Sequence, residues 1–262
     1  MKQSPEPEAA LGRQQGAESI GARRGSAVIT GASSGVGRAL ALALASSMER
    51  VLLVGRDTAR LDIVAREVEA RGARAECLSA DFQERHAQGA LARELAERLP
   101  ALSVLVHSAG LFVSGSVEGT SVEELELLMD VNLRAPYLLS QALLPALAAG
   151  GGDVVFINSS AVGQRRAGLS VYAASKHALL GLADSLRQEV NASGVRVLSV
   201  FLGATATAMQ QQIYAKGGRE YQPDLLLSSA DVARIVCDVI ALPRGAEVTD
   251  LHLRPATAHR AG

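Results

Sequence analysis

Short aliphatic and β-branched runs alternate along this chain with longer stretches in which apolar positions recur every three or four residues. The runs at 26–31, 50–55, 73–81, 102–110, 153–160, 195–203 and 248–255 predict strands. The stretches 37–48, 58–72, 86–99, 121–150, 171–194 and 229–242 predict helices. Gly72 and Gly194 stand where a helix ends in a left-handed residue, and Pro100 stops the third helix. Pro136 predicts a bend in the fourth, and the last opens on Ser229-x-x-Val232. Strands separated by helical crossovers pair in parallel and carry helices on both faces. Their near-continuous apolar interiors fit a sheet buried on both sides. The expected architecture is a doubly wound α/β domain over 26–255 with a seven-stranded parallel sheet. A solvated, disordered tail (1–25) is expected before it and a short tail (256–262) after it.

Composition narrows the function classes. At 262 residues and 48% hydrophobic, the chain can bury a large core. Its net charge of -1 gives no global field to attract nucleic acid or an anionic membrane. Aromatics at 3% with no Trp disfavour base stacking. Cys77 and Cys237 form neither a disulfide framework nor a CxxC pair, which points to a reducing compartment. No stretch reaches the roughly 18 apolar residues of a membrane span. Glu6 and Glu8 interrupt the place where a secretory signal would begin its apolar region. A cytoplasmic location is expected.

In a doubly wound sheet, ligands bind beyond the carboxyl ends of the strands. The first strand runs into Thr30-Gly31-Ala32-Ser33-Ser34-Gly35-Val36-Gly37. Gly31 permits a tight turn, Gly35 lets backbone approach a pyrophosphate, and Gly37 lets the helix pack close to the sheet. Ser33, Ser34 and Val36 share the turn. This is a Rossmann-type dinucleotide site with G-x-x-x-G-x-G spacing. The second strand ends at Gly55-Arg56-Asp57. An NAD site usually places a carboxylate at this strand end; Arg56 instead suits a 2′-phosphate, and Ser33 adds a hydroxyl. NADP(H) is therefore expected over NAD(H). Asp57, one residue displaced, leaves a second route to the ribose open.

Tyr172 and Lys176 lie four apart in Tyr-Ala-Ala-Ser-Lys, so both project from one helix face about 6 Å apart. An ammonium near a phenol favours the phenolate and is expected to lower the Tyr172 pKa from its usual value of about 10. A phenol so tuned suits proton exchange with a carbonyl or alcohol oxygen.

The cofactor turn and the Tyr-x-x-x-Lys pair, in this order and spacing, resemble the short-chain dehydrogenase/reductase family in its single-domain, NADP(H)-preferring branch. The resemblance covers essentially all of 26–255. It implies that Asp81, with Phe82 beside it, contacts the adenine, and that Ala109 and Gly110 line the cofactor. Asn132 would hold a proton-relay water. Tyr172 would be the acid/base, and Lys176 would bind the nicotinamide ribose. Gly203, Thr205 and Thr207 would hold the carboxamide end. The family's catalytic serine falls thirteen residues before the tyrosine and seven after the glycine that opens the strand; both counts give Ser159. The family's habit of a glycine three residues after the serine, here Gly163, gives Ser160 instead. Neighbours on a strand face opposite ways, so only one can serve, and two counts against one favour Ser159 with Ser160 as the second candidate. The family's Asn-Asn-Ala-Gly is here His107-Ser108-Ala109-Gly110, which implies altered bracing of the strand end. Its Pro-Gly is here Leu202-Gly203. His107 has no His or Cys at ligand spacing and reads as a satisfied strand-end histidine rather than a metal ligand; no metal is expected.

The resemblance implies hydride transfer between NADP(H) and a carbonyl or secondary alcohol, with reduction the favoured direction. Leu111, Phe112 and Val113 are candidates for an apolar substrate wall. The segment 208–228, with Met209, Ile213, Tyr214 and Tyr221, reads as a lid loop over the nicotinamide. Arg165 and Arg166 are either a solvated loop pair or a docking point for an anionic substrate. The two long helices imply a homodimer, or a homotetramer, and the short C-terminus favours the dimer. The alternative reading is a non-catalytic NADP(H)-binding sensor on the same fold, which predicts broken catalytic positions.

Overall fold

The computed structural model describes residues 24–164 and 166–256. Seven strands form one parallel sheet: β1 (Arg24–Thr30), β2 (Met48–Gly55), β3 (Arg74–Ser79), β4 (Val104–His107), β5 (Asp153–Ser159), β6 (Arg196–Leu202) and β7 (Asp250–Leu253). Their order is β3-β2-β1-β4-β5-β6-β7. The order reverses between β1 and β4, which opens a crevice at their carboxyl ends. Helices α1 (Gly35–Leu44), α2 (Thr58–Glu69), α3 (Arg85–Arg98), α4 (Val122–Met129), α5 (Ala135–Gly150), α6 (Ser170–Val190), α7 (Ala208–Lys216) and α8 (Ser229–Ile240) connect them. Arg24 and Gly25, expected in the tail, belong to β1. The rest of the expected tail (1–23), Arg165 and residues 257–262 lie outside the described residues.

Period-two alternation along the strands divides the core into two layers. Val28, Leu52, Leu105, Val154 and Phe156 face one way, packing with Leu95, Leu139, Leu143 and Leu179 from α3, α5 and α6. Their neighbours Ile29, Leu53, Val106 and Val155 face the other way, against Leu40, Leu61, Val232 and Val236 from α1, α2 and α8. A strand apolar on both faces has this cause: each parity feeds a different helical layer.

Two expected elements differ. The helix predicted over 121–150 is interrupted at Asp130–Arg134 by one π-helical turn. Pro136 lies two residues beyond it in a helical backbone that is continuous from α4 into α5, so its missing N–H removes a ladder bond from this turn. The interruption precedes the proline. Within 208–228, expected as a loop, α7 forms because the Thr207 hydroxyl accepts from the Gln210 amide at 3.2 Å. That N-cap is followed by Ala, Met and Gln, all good helix formers. Helix α8 starts at Ser229 as expected, capped by Ser228, which accepts from the amides of Ala230 and Asp231.

The end of β4 shows the altered bracing that His107 implied. The Thr30 hydroxyl accepts from the amides of Ser108 and Ala109, both at 3.1 Å. His107 is buried and stacks on Phe156 at 4.8 Å, and its Nε2 lies 2.9 Å from the Ser140 hydroxyl. Its Nδ1 has no partner among the described residues, so the histidine is only half satisfied. Burial pushes its pKa down to about 3. Between about pH 6.5 and 3 the unfolded chain therefore binds a proton there that the native state does not, and stability is lost as pH falls below 6.5. His107→Asn is expected to flatten the acid limb of a stability-versus-pH curve by up to about 1.4 kcal/mol per pH unit. Denaturant unfolding of both proteins from pH 7 to 4.5 measures it; parallel curves would mean that His107 does not stay neutral in the folded state.

Candidate active site

One cleft of about 1430 Å³ runs along the carboxyl edge of the sheet. The segments leaving all seven strands contribute to its walls, since parallel pairing brings every strand end to one edge.

At its centre lies the turn from β1 to α1. Gly31 has φ +67°, and a Cβ there would stand 2.8 Å from the amide nitrogen of Ala109. A Cβ on Gly37 would stand 2.3 Å from the Gly31 carbonyl oxygen. Gly35 has φ +54° and would meet the Thr207 methyl at 3.1 Å. Ser34 caps α1 without a side-chain hydrogen bond, which leaves the first amides of the helix for a ligand. Gly31, Ser33, Ser34, Gly35 and Val36 line the cleft, while Gly37 lies behind it as a packing residue. The turn thus fits a pyrophosphate: open backbone, a helix N-terminus, and no room for side chains at the close approaches.

Beyond β2, Arg56 extends its guanidinium with 65% of the side chain exposed and its Nη1 3.9 Å from Asp81. Asp57 is occupied elsewhere. It caps α2, accepting from the Arg60 amide at 3.0 Å, and pairs with the Arg60 side chain at 3.1 Å. The ribose route left open for Asp57 is therefore taken up by its role at the start of α2. Asp81 accepts from the amide of Gln83, which orients one carboxylate oxygen, and Phe82 lines the cleft beside it.

At the other end stand Ser159, Tyr172 and Lys176. The Ser159 hydroxyl accepts from the Ala161 amide at 3.2 Å, and it lies near enough to the Tyr172 phenol to pull that group's pKa down. Ser160 opens the next turn and accepts from the exposed Gln164 amide group instead. Of the two candidates, Ser159 is the one that acts on the tyrosine. Burial pushes the Tyr172 pKa up, and the Ser159 hydroxyl offsets this only in part. The expected lowering by Lys176 is not what the structure has. The Lys176 ammonium is itself buried and donates to the Ile157 carbonyl at 3.0 Å; desolvation brings its pKa down to about 8. Desolvation penalises the charge on each residue, so the phenol holds its proton and the amine loses one more readily.

Asn132 does not line the cleft. It sits buried in the π turn, accepts from the Leu111 amide at 2.8 Å, and donates to the Leu111 carbonyl and the Ser175 hydroxyl, both at 3.0 Å. A Cβ on Gly110 would stand 3.3 Å from the Asn132 side-chain oxygen and 3.8 Å from the Lys176 nitrogen, so Asn132 and Lys176 flank Gly110. Ala109 and Gly110 face the cleft, as do Gly203, Thr205 and Thr207. Among the described residues no group of three or more His, Cys, Asp and Glu could hold a metal ion. No helix among them is long and apolar enough to cross a membrane.

The family model for short chain dehydrogenases matches residues 26–217. The chain belongs to the short chain dehydrogenase family. Membership makes this protein an oxidoreductase. A short chain dehydrogenase relative is an uncharacterized oxidoreductase of Staphylococcus saprophyticus, 29% identical over 231 residues, covering 87% of this chain and 96% of the relative. Among solved structures, an alcohol dehydrogenase from Thermococcus sibiricus complexed with 5-hydroxy-NADP is 26% identical. It covers 92% of this chain and 100% of its own at a TM-score of 0.80. A metagenomic short-chain oxidoreductase in complex with NADP is 31% identical, covering 89% and 97% of the two chains at a TM-score of 0.75.

Compared with the expected wall of this short chain dehydrogenase, Leu111 and Phe112 line the cleft and Val113 does not. Phe112 meets the Tyr172 ring edge-on at 4.8 Å. From α7 and the chain just after it come Met209, Ile213, Tyr214, Lys216 and Arg219; Tyr221 packs against Tyr214 rather than facing the cleft. The sequence reading missed Ser114, Ser116 and Arg254 as lining residues. For Arg254 the position directly after the last strand is the signal that could have found it.

Gly37→Ala is expected to lose about 1–3 kcal/mol of stability, because the added methyl meets a backbone carbonyl that cannot rotate away. It should also weaken dinucleotide binding. Denaturant unfolding and a cofactor titration measure both; a stable variant that binds normally would show that α1 can move off Gly31 at no cost.

Proposed function

We propose that this enzyme transfers a hydride between NADP(H) and a carbonyl or secondary alcohol substrate, with Tyr172 as acid/base. The observation that carries this reading is that Ser159, Tyr172 and Lys176 stand together in the cleft that the glycine turn opens into, with Ser159 acting on the Tyr172 phenol. When bound, the nicotinamide supplies or accepts the hydride. Gly31, Ser33, Ser34, Gly35 and Val36 would hold the pyrophosphate. Arg56 would take the 2′-phosphate, and Asp81 with Phe82 the adenine. Ala109, Gly110, Lys176, Gly203, Thr205 and Thr207 would hold the nicotinamide half. The phosphorylated cofactor is favoured because Arg56 is exposed at the strand end, held only by a 3.9 Å pairing to Asp81, while Asp57 caps α2, and because two structural relatives hold NADP or its derivative.

Ser159 donates to the substrate oxygen and fixes its position. Tyr172, kept protonated by burial, passes its proton to that oxygen as negative charge develops. With NADP(H) as the cofactor, reduction is the proposed working direction. Lys176 holds positive charge close by, and Asn132 fixes the backbone against which it lies. Donors so preorganised contribute roughly 3 kcal/mol each at a developing oxyanion.

A homodimer through α5 and α6, or a homotetramer, belongs to the same proposal; Val122, Leu125 and Tyr137 leave apolar surface exposed on α4 and α5. The free thiols Cys77 and Cys237 are in keeping with the cytoplasm.

Tyr172→Phe is expected to retain cofactor binding and lose about 10²–10⁴-fold in kcat for NADPH-dependent carbonyl reduction. Cofactor binding without turnover in the unmodified enzyme, across ketones, aldehydes, quinones and keto acids, would favour the sensor reading. Arg56→Gln should narrow the preference for NADPH over NADH in kcat/KM by about tenfold or more; an unmoved ratio would place the 2′-phosphate elsewhere.

A further inference from the structure

The charged residues of the cleft divide sharply at the crevice between β1 and β4. On the side of β1, β2 and β3 the lining holds Arg56, Arg60, Asp57 and Asp81, and each arginine has a carboxylate partner. On the side of β4 to β7 it holds Arg166, Lys176, Lys216, Arg219 and Arg254, and no Asp or Glu. With a net charge of -1, the chain as a whole has no cationic excess to explain this.

Lys176 is buried and committed to the Ile157 carbonyl. The other four come from three separate segments: the β5–α6 loop, the end of α7 with the turn beyond it, and the exit of β7. Among the described residues the side chains of Arg166, Lys216 and Arg254 have no hydrogen-bond or ion-pair partner. Arg219 is held over the Tyr214 ring, 4.5 Å from its centroid, and keeps its donors free. Glu220 beside it is bonded to Gln222 and does not face the cleft. Arg254 starts from fixed backbone: its Cα lies 3.3 Å from where a Cβ on Gly203 would stand. Unpaired guanidinium groups in a concave wall focus positive potential where a substrate must enter, and their planar forks match carboxylate and phosphate oxygens.

We propose that the substrate end of the cleft is an anion site, and that the substrate is a carbonyl compound bearing a carboxylate or phosphate group held by Arg254 and Arg219. The naming of this substrate class rests on the reductase reading above; the existence of the anion site does not.

Two matched pairs test it: levulinate against its methyl ester, and dihydroxyacetone phosphate against dihydroxyacetone. The charged member of at least one pair should be reduced with about tenfold or higher kcat/KM, and the preference should shrink with added salt. In Arg254→Gln combined with Arg219→Gln, the charged-to-neutral ratio should fall to within about twofold of one. Both side chains are exposed, so the replacements leave the core untouched. The second readout is calorimetric titration of succinate and of inorganic phosphate into NADPH-loaded protein, which separates the two anion chemistries. Binding should weaken about tenfold or more in the double variant. Turnover of neutral carbonyls with neither preference for nor binding of anions would overturn this proposal and leave the reductase reading standing. Anion binding lost in the double variant, with no carbonyl reduced at all, would keep the site and overturn the reductase reading.

Discussion

A methyl group on Gly37 would stand 2.3 Å from the Gly31 carbonyl, and one on Gly31 would stand 2.8 Å from the Ala109 amide. At this point α1, the end of β1 and the end of β4 meet backbone to backbone. The seam continues without a gap. Ala109 is followed by Gly110, whose missing side chain makes room for Asn132 and Lys176. Asn132 bonds both backbone groups of Leu111 and reaches the Ser175 hydroxyl. Ser175 in turn donates to the Tyr172 carbonyl, between the Tyr172 and Lys176 side chains of α6. The dinucleotide turn and the Tyr172–Lys176 face are therefore set relative to one another by close approaches and buried hydrogen bonds. Such contacts have little freedom to drift, which is what an oriented transfer needs.

The same seam explains why charge is costly there. Tyr172, Lys176 and His107 are buried, and in each the shift runs against the charged form. The three outcomes differ because the same desolvation acts on groups with different ordinary pKa values. His107, ordinarily near neutrality, stays neutral across the ordinary pH range. Lys176, ordinarily far above it, keeps a pKa of about 8, close enough to neutrality to exchange protons. Tyr172, already high, is pushed higher, and the Ser159 hydroxyl does not outweigh desolvation.

Much of this was legible in the sequence. Alternation gave all seven strands and the six longest helices apart from the division of one, because a two-faced core imposes period two on strands and three to four on helices. Gly31, Gly35 and Gly37 were legible because only glycine survives those approaches. Spacing placed Tyr172 and Lys176 on one face. What was not legible depended on tertiary surroundings. Pro136 announced a disturbance in this helix, but not that it would take the form of a π turn at Asp130–Arg134 that sets Asn132 against Leu111 and Ser175. The choice of Ser159 over Ser160 was legible as two spacing counts against one, though not its place beside Tyr172. The direction of the Tyr172 shift failed as an expectation because helical spacing gives proximity to Lys176 but says nothing of burial. Helix α7 was missed because its apolar pattern is weak and its stability begins with the Thr207 cap.

That cap also links the two ends of the cleft. Thr207 closes the first turn of α7 with its hydroxyl while its methyl fills the space over Gly35 in the phosphate turn. One residue thereby fixes the start of α7 to the dinucleotide turn, and the remainder of that segment carries Lys216 and Arg219 toward the cationic half of the cleft. A larger residue at Gly35 would push on Thr207 and so on the helix behind it. The glycine turn and the start of α7 approach each other at Gly35 and Thr207, so a side chain added at Gly35 would disturb both elements at once.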